Sequence, residues 1–121
     1  MDPDLTPTFN ALRPLYSRHA ETCVVMSDTS ERYWLGTHEQ RARDGYRTDF
    51  GGVQINKAYV SAHLMPVYIH PDMLEGHSPD LKKRMQGKSC FNFKKPDARL
   101  FEELDQLITT GIARFQQDGR L

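Results

Sequence analysis

The stretch FGGVQINKAYVSAHLM (residues 50–65) decides the fold. FGGVQIN (50–56) and YVSAHLM (59–65) are short and rich in β-branched and aromatic residues, the composition of strands. Only Lys57 and Ala58 separate the two runs, and Asn56-Lys57 reads as a tight hairpin connection. A link that short joins antiparallel neighbours, because parallel strands need a crossover of about a dozen residues or more. The pattern recurs on either side. CVVMS (23–27) and RYWLG (32–36) flank the turn residues Asp28-Thr29-Ser30, and SCFNF (89–93) follows further on. Between them, THEQRARDGYRT (37–48) is polar and reads as a loop. Five strands of a mainly antiparallel sheet are expected.

Helices are expected wherever a proline punctuates the chain. Thr6-Pro7, His70-Pro71-Asp72, Ser78-Pro79-Asp80 and Lys95-Pro96-Asp97 each place proline where a helix can start. The first helical N–H has no partner in any case, so proline is tolerated there. A hydroxyl before it can cap, and a carboxylate after it suits the positive end of the helix dipole. The first helix spans about Pro7 to His19 and buries Phe9, Leu12, Leu15 and Tyr16, with a kink or break expected at Pro14. From Asp97, Leu100, Phe101, Leu104, Leu107, Ile108, Ile112 and Phe115 form one apolar stripe, closed by Gly119. The class is α+β: a single two-layer domain over residues 1–121, its amino- and carboxy-terminal helices packed on one face of the sheet.

Composition narrows the function classes. At 121 residues the chain suits one core, and 38% hydrophobic with 26% charged residues is a globular composition. Sixteen basic residues balance sixteen acidic ones, so no global field favours nucleic acid or an anionic membrane. The start, MDPDLTPTFN, lacks the apolar segment of a secretory signal, and no apolar run approaches the ~20 residues of a membrane span. Cys23 and Cys90 are too few for a disulfide framework, which suits a reducing, cytoplasmic setting.

Alternation divides each strand into two faces. Val60, Ala62 and Leu64 point one way, with Val53, Ile55, Phe91 and Phe93, and belong under the helices. The opposite face is mixed. Trp34, Gln54, Tyr59, His63, Cys90, Asn92 and Lys94 are the candidate ligand-binding residues there. In that reading His63 and Lys94 are the ionisable groups, Gln54 and Asn92 the hydrogen-bonding ones, and Trp34 and Tyr59 the walls. The same face could instead be an interaction surface, such as a homodimer interface covering a half-exposed sheet.

The stretch KAYVSAHLMPVYIHPDML…SPDLKKRMQGKSCFNFKK (57–95), followed by an amphipathic helix, resembles the YdhG-like family of bacterial proteins of unknown function. YVSAHLMP (59–66) and GKSCFNF (87–93) carry the likeness. The resemblance implies a small α+β domain with an antiparallel sheet. It brings no catalytic residue and no ligand set. Some members are compared with frataxin-type iron chaperones, which makes metal binding an alternative function.

Four sharper motifs meet plainer readings. Gly87-Lys88-Ser89 resembles the end of a phosphate-binding loop, but Lys82 stands where that loop needs its first glycine. A strand also follows where a helix should, so Gly87 reads as the stop of a short helix. Cys90 and His63 would form a nucleophile and base if their strands were neighbours, although a lone strand cysteine is ordinarily a small hydrophobe. His63, His70 and His77 are seven apart, with Pro71 interrupting any shared helix, so their spacing has no ligand logic. Arg41, Arg43 and Arg47 around Tyr46 are interspersed with carboxylates and read as a solvated loop, so no nucleic-acid partner is expected. Lys82, Lys83, Arg84 and Lys88 suit the carbonyl end of a short helix. The expected protein is a non-catalytic binding or interaction module with no cofactor, its partner a small molecule or a second copy.

Overall fold

The computed structural model describes residues 4–121, so the acidic start at Asp2 lies outside the described residues. Helix α1 (Thr6–Ser17) is followed by strands β1 (Val24–Asp28), β2 (Arg32–Gln40), β3 (Arg47–Ile55) and β4 (Val60–Leu64). Then come α2 (Met65–Ile69), a 3-10 turn (Pro71–Leu74), α3 (Pro79–Lys82), β5 (Met85–Gln86), β6 (Cys90–Phe93) and α4 (Ala98–Gln117). All the strands pair antiparallel, in the order β1-β2-β3-β4-β6-β5.

The sheet has six strands, where five were expected. The additional one, β5, is two residues long and pairs Met85 with Phe91 and Gln86 with Cys90. A strand that short has no alternation to read, and the pairing with β6 alone creates it. Gly87, with φ at 77°, therefore turns the β5–β6 hairpin and does not end α3, which stops at Lys82. Met65 likewise leaves β4 and opens α2, because Pro66 favours a first helical turn over a ladder position.

The polar segment 37–48 is not a loop throughout. Its ends extend β2 and β3, and only the tip around Arg41 to Tyr46 turns. Thr37 is fully buried and donates its hydroxyl to the Thr48 carbonyl at 3.0 Å, while Arg47 Nη1 donates to the Thr37 carbonyl at 2.8 Å. The chain's last residues complete the support. His38 N–H donates to the Arg120 carbonyl at 2.9 Å, and Arg120 pairs with Glu39. Those contacts span some eighty positions, beyond the reach of local pattern.

The proline marks predict four helical starts, and helical turns begin at or beside all four. Ser78 caps α3 by accepting Leu81 N–H, and Asp97 caps α4 by accepting Leu100 N–H at 3.1 Å. Helix α1 runs through Pro14 without a break; the proline is exposed, and Arg18 N–H closes onto its carbonyl at 3.2 Å. Leu15 is half-buried, while Phe9, Leu12 and Tyr16 are buried. The whole expected stripe of α4 is buried, against the core face of the sheet and the other helices. Each such side chain contributes roughly 1.5–3 kcal/mol on burial. Phe115 meets Phe50 edge-on at 6.0 Å, and Phe101 meets Phe93 edge-on at 4.9 Å, fastening α4 to β3 and β6.

Val53, Val60, Ala62, Leu64, Phe91 and Phe93 are all at most 2% exposed, as the alternation requires. Their opposite-facing neighbours Trp34, Gln54, Ser61, His63, Cys90 and Asn92 are half-buried. They lie opposite the face whose residues join the buried side chains of the described helices in the core.

Candidate functional site on the outer sheet face

Register places Trp34, Gly52, His63 and Cys90 directly opposite one another across β2, β3, β4 and β6. A glycine in the second place makes the row compact. A Cβ on Gly52 would come within 2.7 Å of the Trp34 ring and 2.2 Å of the Tyr33 carbonyl oxygen. With no side chain there, the indole lies across β3 and stacks on the His63 imidazole, centroids 5.3 Å apart and planes 7° from parallel.

On the other side of His63, its Nδ1 stands 3.4 Å from Cys90 Sγ and 3.2 Å from Ser89 Oγ. Burial pushes the His63 pKa below its ordinary value, while the Asp49 carboxylate pulls the other way. The imidazole is thus held neutral at pH 7. With Nδ1 unprotonated it accepts either the thiol or the hydroxyl proton. Behind the row, the fully buried Tyr16 donates its hydroxyl to the His63 carbonyl at 2.8 Å, tying α1 to the strand beneath the site.

Gln54 is committed to its neighbours. It accepts from Arg32 Nε at 3.1 Å and donates to Asn56 Oδ1 at 3.2 Å. The Arg32 guanidinium in turn sits 4.3 Å from the Trp34 ring centroid, a cation–π contact.

The seven expected residues thus fall into two groups of three, with Gln54 apart. Trp34, His63 and Cys90 form a row. Tyr59, Asn92 and Lys94 line a hollow of about 330 Å³ with Lys83, Arg84 and Gln86. Asn92 donates to Gln86 Oε1 at 2.6 Å, across the β5–β6 hairpin. Lys94 lies one residue beyond β6 and reaches the hollow from an exposed bend. Gln54 belongs with Arg32 beside the row. Sequence reasoning missed Gly52, Ser89, Arg32 and Arg84. Gly52 carried a legible signal, a glycine inside a strand, which marks close approach of a neighbour.

The three histidines go to three places. His63 is in the row, His70 Nε2 bonds Asp118 at 2.6 Å, and His77 Nδ1 lies 3.5 Å from Glu103. Among the described residues, no three His, Cys, Asp or Glu side chains converge as metal ligands would. Cys23 and Cys90 are both free. The basic loop is occupied internally: Arg41 pairs with Asp44 and stacks on Tyr46. No described helix is long and apolar enough to cross a membrane.

Comparison with family models, curated proteins and solved structures finds no match to the chain.

Proposed function

We propose that the chain is a non-catalytic binding module that engages its partner through the outer face of the sheet. The observation that carries this reading is the aligned row Trp34–Gly52–His63–Cys90 on the outer face of the sheet, where Trp34, His63 and Cys90 are half-buried. The stacked indole and neutral imidazole, with Arg32 against the indole, offer a half-buried amphipathic surface whose geometry its own contacts fix. Such a surface suits a small molecule, since little ordering entropy is lost on binding. A thiol–imidazole contact of 3.4 Å supports thiol chemistry as the second reading. Among the described residues no carboxylate hydrogen-bonds the ring to orient it, as a Cys–His enzyme ordinarily needs. The likeness of residues 57–95 supports membership of the YdhG-like family, and two free thiols suit a cytoplasmic protein.

Trp34 is the chain's single tryptophan, so its emission reports on the site without labelling. The test titrates a metabolite panel against Trp34 fluorescence, alongside solution mass over a range of protein concentrations. A saturable change, lost in His63→Ala with the melting temperature kept, is the expected result. A mass that doubles with concentration and quenches Trp34 would make the face a homodimer interface. Neither response to any ligand nor any self-association would sink the reading.

A further inference from the structure

The chain is neutral overall, but its charge is unevenly spread. Residues 82–99 hold seven of the sixteen Lys and Arg side chains and only one of the sixteen Asp and Glu, giving this stretch a formal +6 and the remainder −6. Elsewhere cations are mostly paired: Arg13, Arg18, Arg41, Arg114 and Arg120 each meet a carboxylate. Among the described residues, none of the seven in 82–99 does.

Nearby carboxylates are engaged otherwise. Asp97 accepts Leu100 N–H at the start of α4, and Glu103 accepts both the N–H and the hydroxyl of Ser78, at 2.7 and 2.6 Å. The end of α3 and the β5–β6 hairpin therefore bring together cations that form no ion pair among the described residues. Lys83, Arg84 and Lys94 line the hollow of about 330 Å³, and Arg84 and Lys94 also line an adjoining one of about 280 Å³ with Lys95 and the single carboxylate of Asp97. Cations outnumber the carboxylates Asp80 and Asp97 around these hollows, and a net excess of like charge around a concave surface concentrates anions there.

We propose that this trough binds a small organic phosphate carrying at least two negative charges. Arg84 holds the phosphate by its planar fork and Lys94 by its point charge. Tyr59 and the Gln86–Asn92 amide pair receive the organic remainder. The volume is that of a small-molecule pocket. An extended nucleic acid would want a row of stacking rings along the groove, and Tyr59 is the one ring in this hollow. The proposal does not depend on the Trp34–His63 row.

The test is calorimetric and NMR titration of the full chain with AMP, pyrophosphate, citrate and a short single-stranded oligonucleotide. Ionic strength is matched with potassium chloride. AMP and pyrophosphate should bind saturably and shift the amides of residues 83–86 and 92–94. Arg84→Glu and Lys94→Glu should each weaken them about tenfold or more, as loss of a charge-assisted contact predicts. Arg43→Glu changes net charge equally at the β2–β3 hairpin tip and should leave binding intact. Loss in Arg43→Glu equal to that in Arg84→Glu, or non-saturable shifts matched by chloride, would overturn the site. Citrate binding as tightly as AMP would overturn its phosphate selectivity. Binding of the oligonucleotide alone would make the surface a nucleic-acid interface.

Discussion

Trp34 and His63 lie face to face across a strand that contributes no side chain between them, their ring planes 7° from parallel. Gly52 makes this possible, and the relationship fixes the most direct test of the site's architecture. In Gly52→Ala the added methyl meets the Tyr33 carbonyl at 2.2 Å and the indole at 2.7 Å. Backbone cannot give as a flexible side chain can, so β2 and β3 must separate locally. The expected cost is about 1–3 kcal/mol, the usual range for overpacking. Urea unfolding should show it, together with a shift in Trp34 emission. An unchanged midpoint and spectrum would mean that the row does not pack as described.

The imidazole of His63 sets a pH dependence. Its folded pKa is lowered chiefly by burial, so the unfolded chain binds the proton more readily. Stability from this residue is fully present above the unfolded value of about 6.5 and is lost as pH falls toward the lower folded pKa. His19, also lowered mainly by burial, contributes with the same sign. Urea midpoints should therefore fall between pH 7.5 and pH 5.5. His63→Asn should flatten that fall without abolishing it. An equal slope in the variant would show that His63 does not titrate with folding.

Tyr16 supports the site from within the core. Its hydroxyl donates to the His63 carbonyl, and burial pushes its pKa up, so it stays a donor into strongly alkaline solution. Tyr16→Phe keeps the ring and removes the donor, with an expected loss of about 1 kcal/mol. Hydrogen exchange should quicken selectively along β4. Uniform change across the sheet would argue for a general packing effect.

The two thiols should differ in reactivity. Cys23 is 7% exposed, and burial pushes its pKa up to about 12. Cys90 is half-buried and touches His63. Iodoacetamide at pH 8 should label Cys90 well before Cys23 in the native protein, and both alike in urea. Mass spectrometry of the peptides decides it. Preferential labelling of Cys23 would contradict the burial of the first thiol.

Local pattern in the sequence determined the class of this protein and the division of its sheet. A period of two in VSAHL and CFNF separated the buried Val60, Ala62, Leu64, Phe91 and Phe93 from the outward His63, Cys90 and Asn92, because a pleated strand leaves no other choice. The stripe of α4 and the proline starts were legible for the same reason: each depends on neighbours within a turn or two. Tertiary structure alone decided the rest. Strand order brought His63 beside Cys90, a pairing that spacing along the chain does not encode. Contacts from Arg120 turned a polar segment into strand, and pairing with β6 made a strand of Met85 and Gln86. Six of the seven candidate residues divided into a stacked row and a basic hollow, with Gln54 beside the row, because α3 ends and β5 begins beside Tyr59 and Asn92. Alternation specifies which way a side chain points. Only closure of the sheet and its hairpins specifies what it meets.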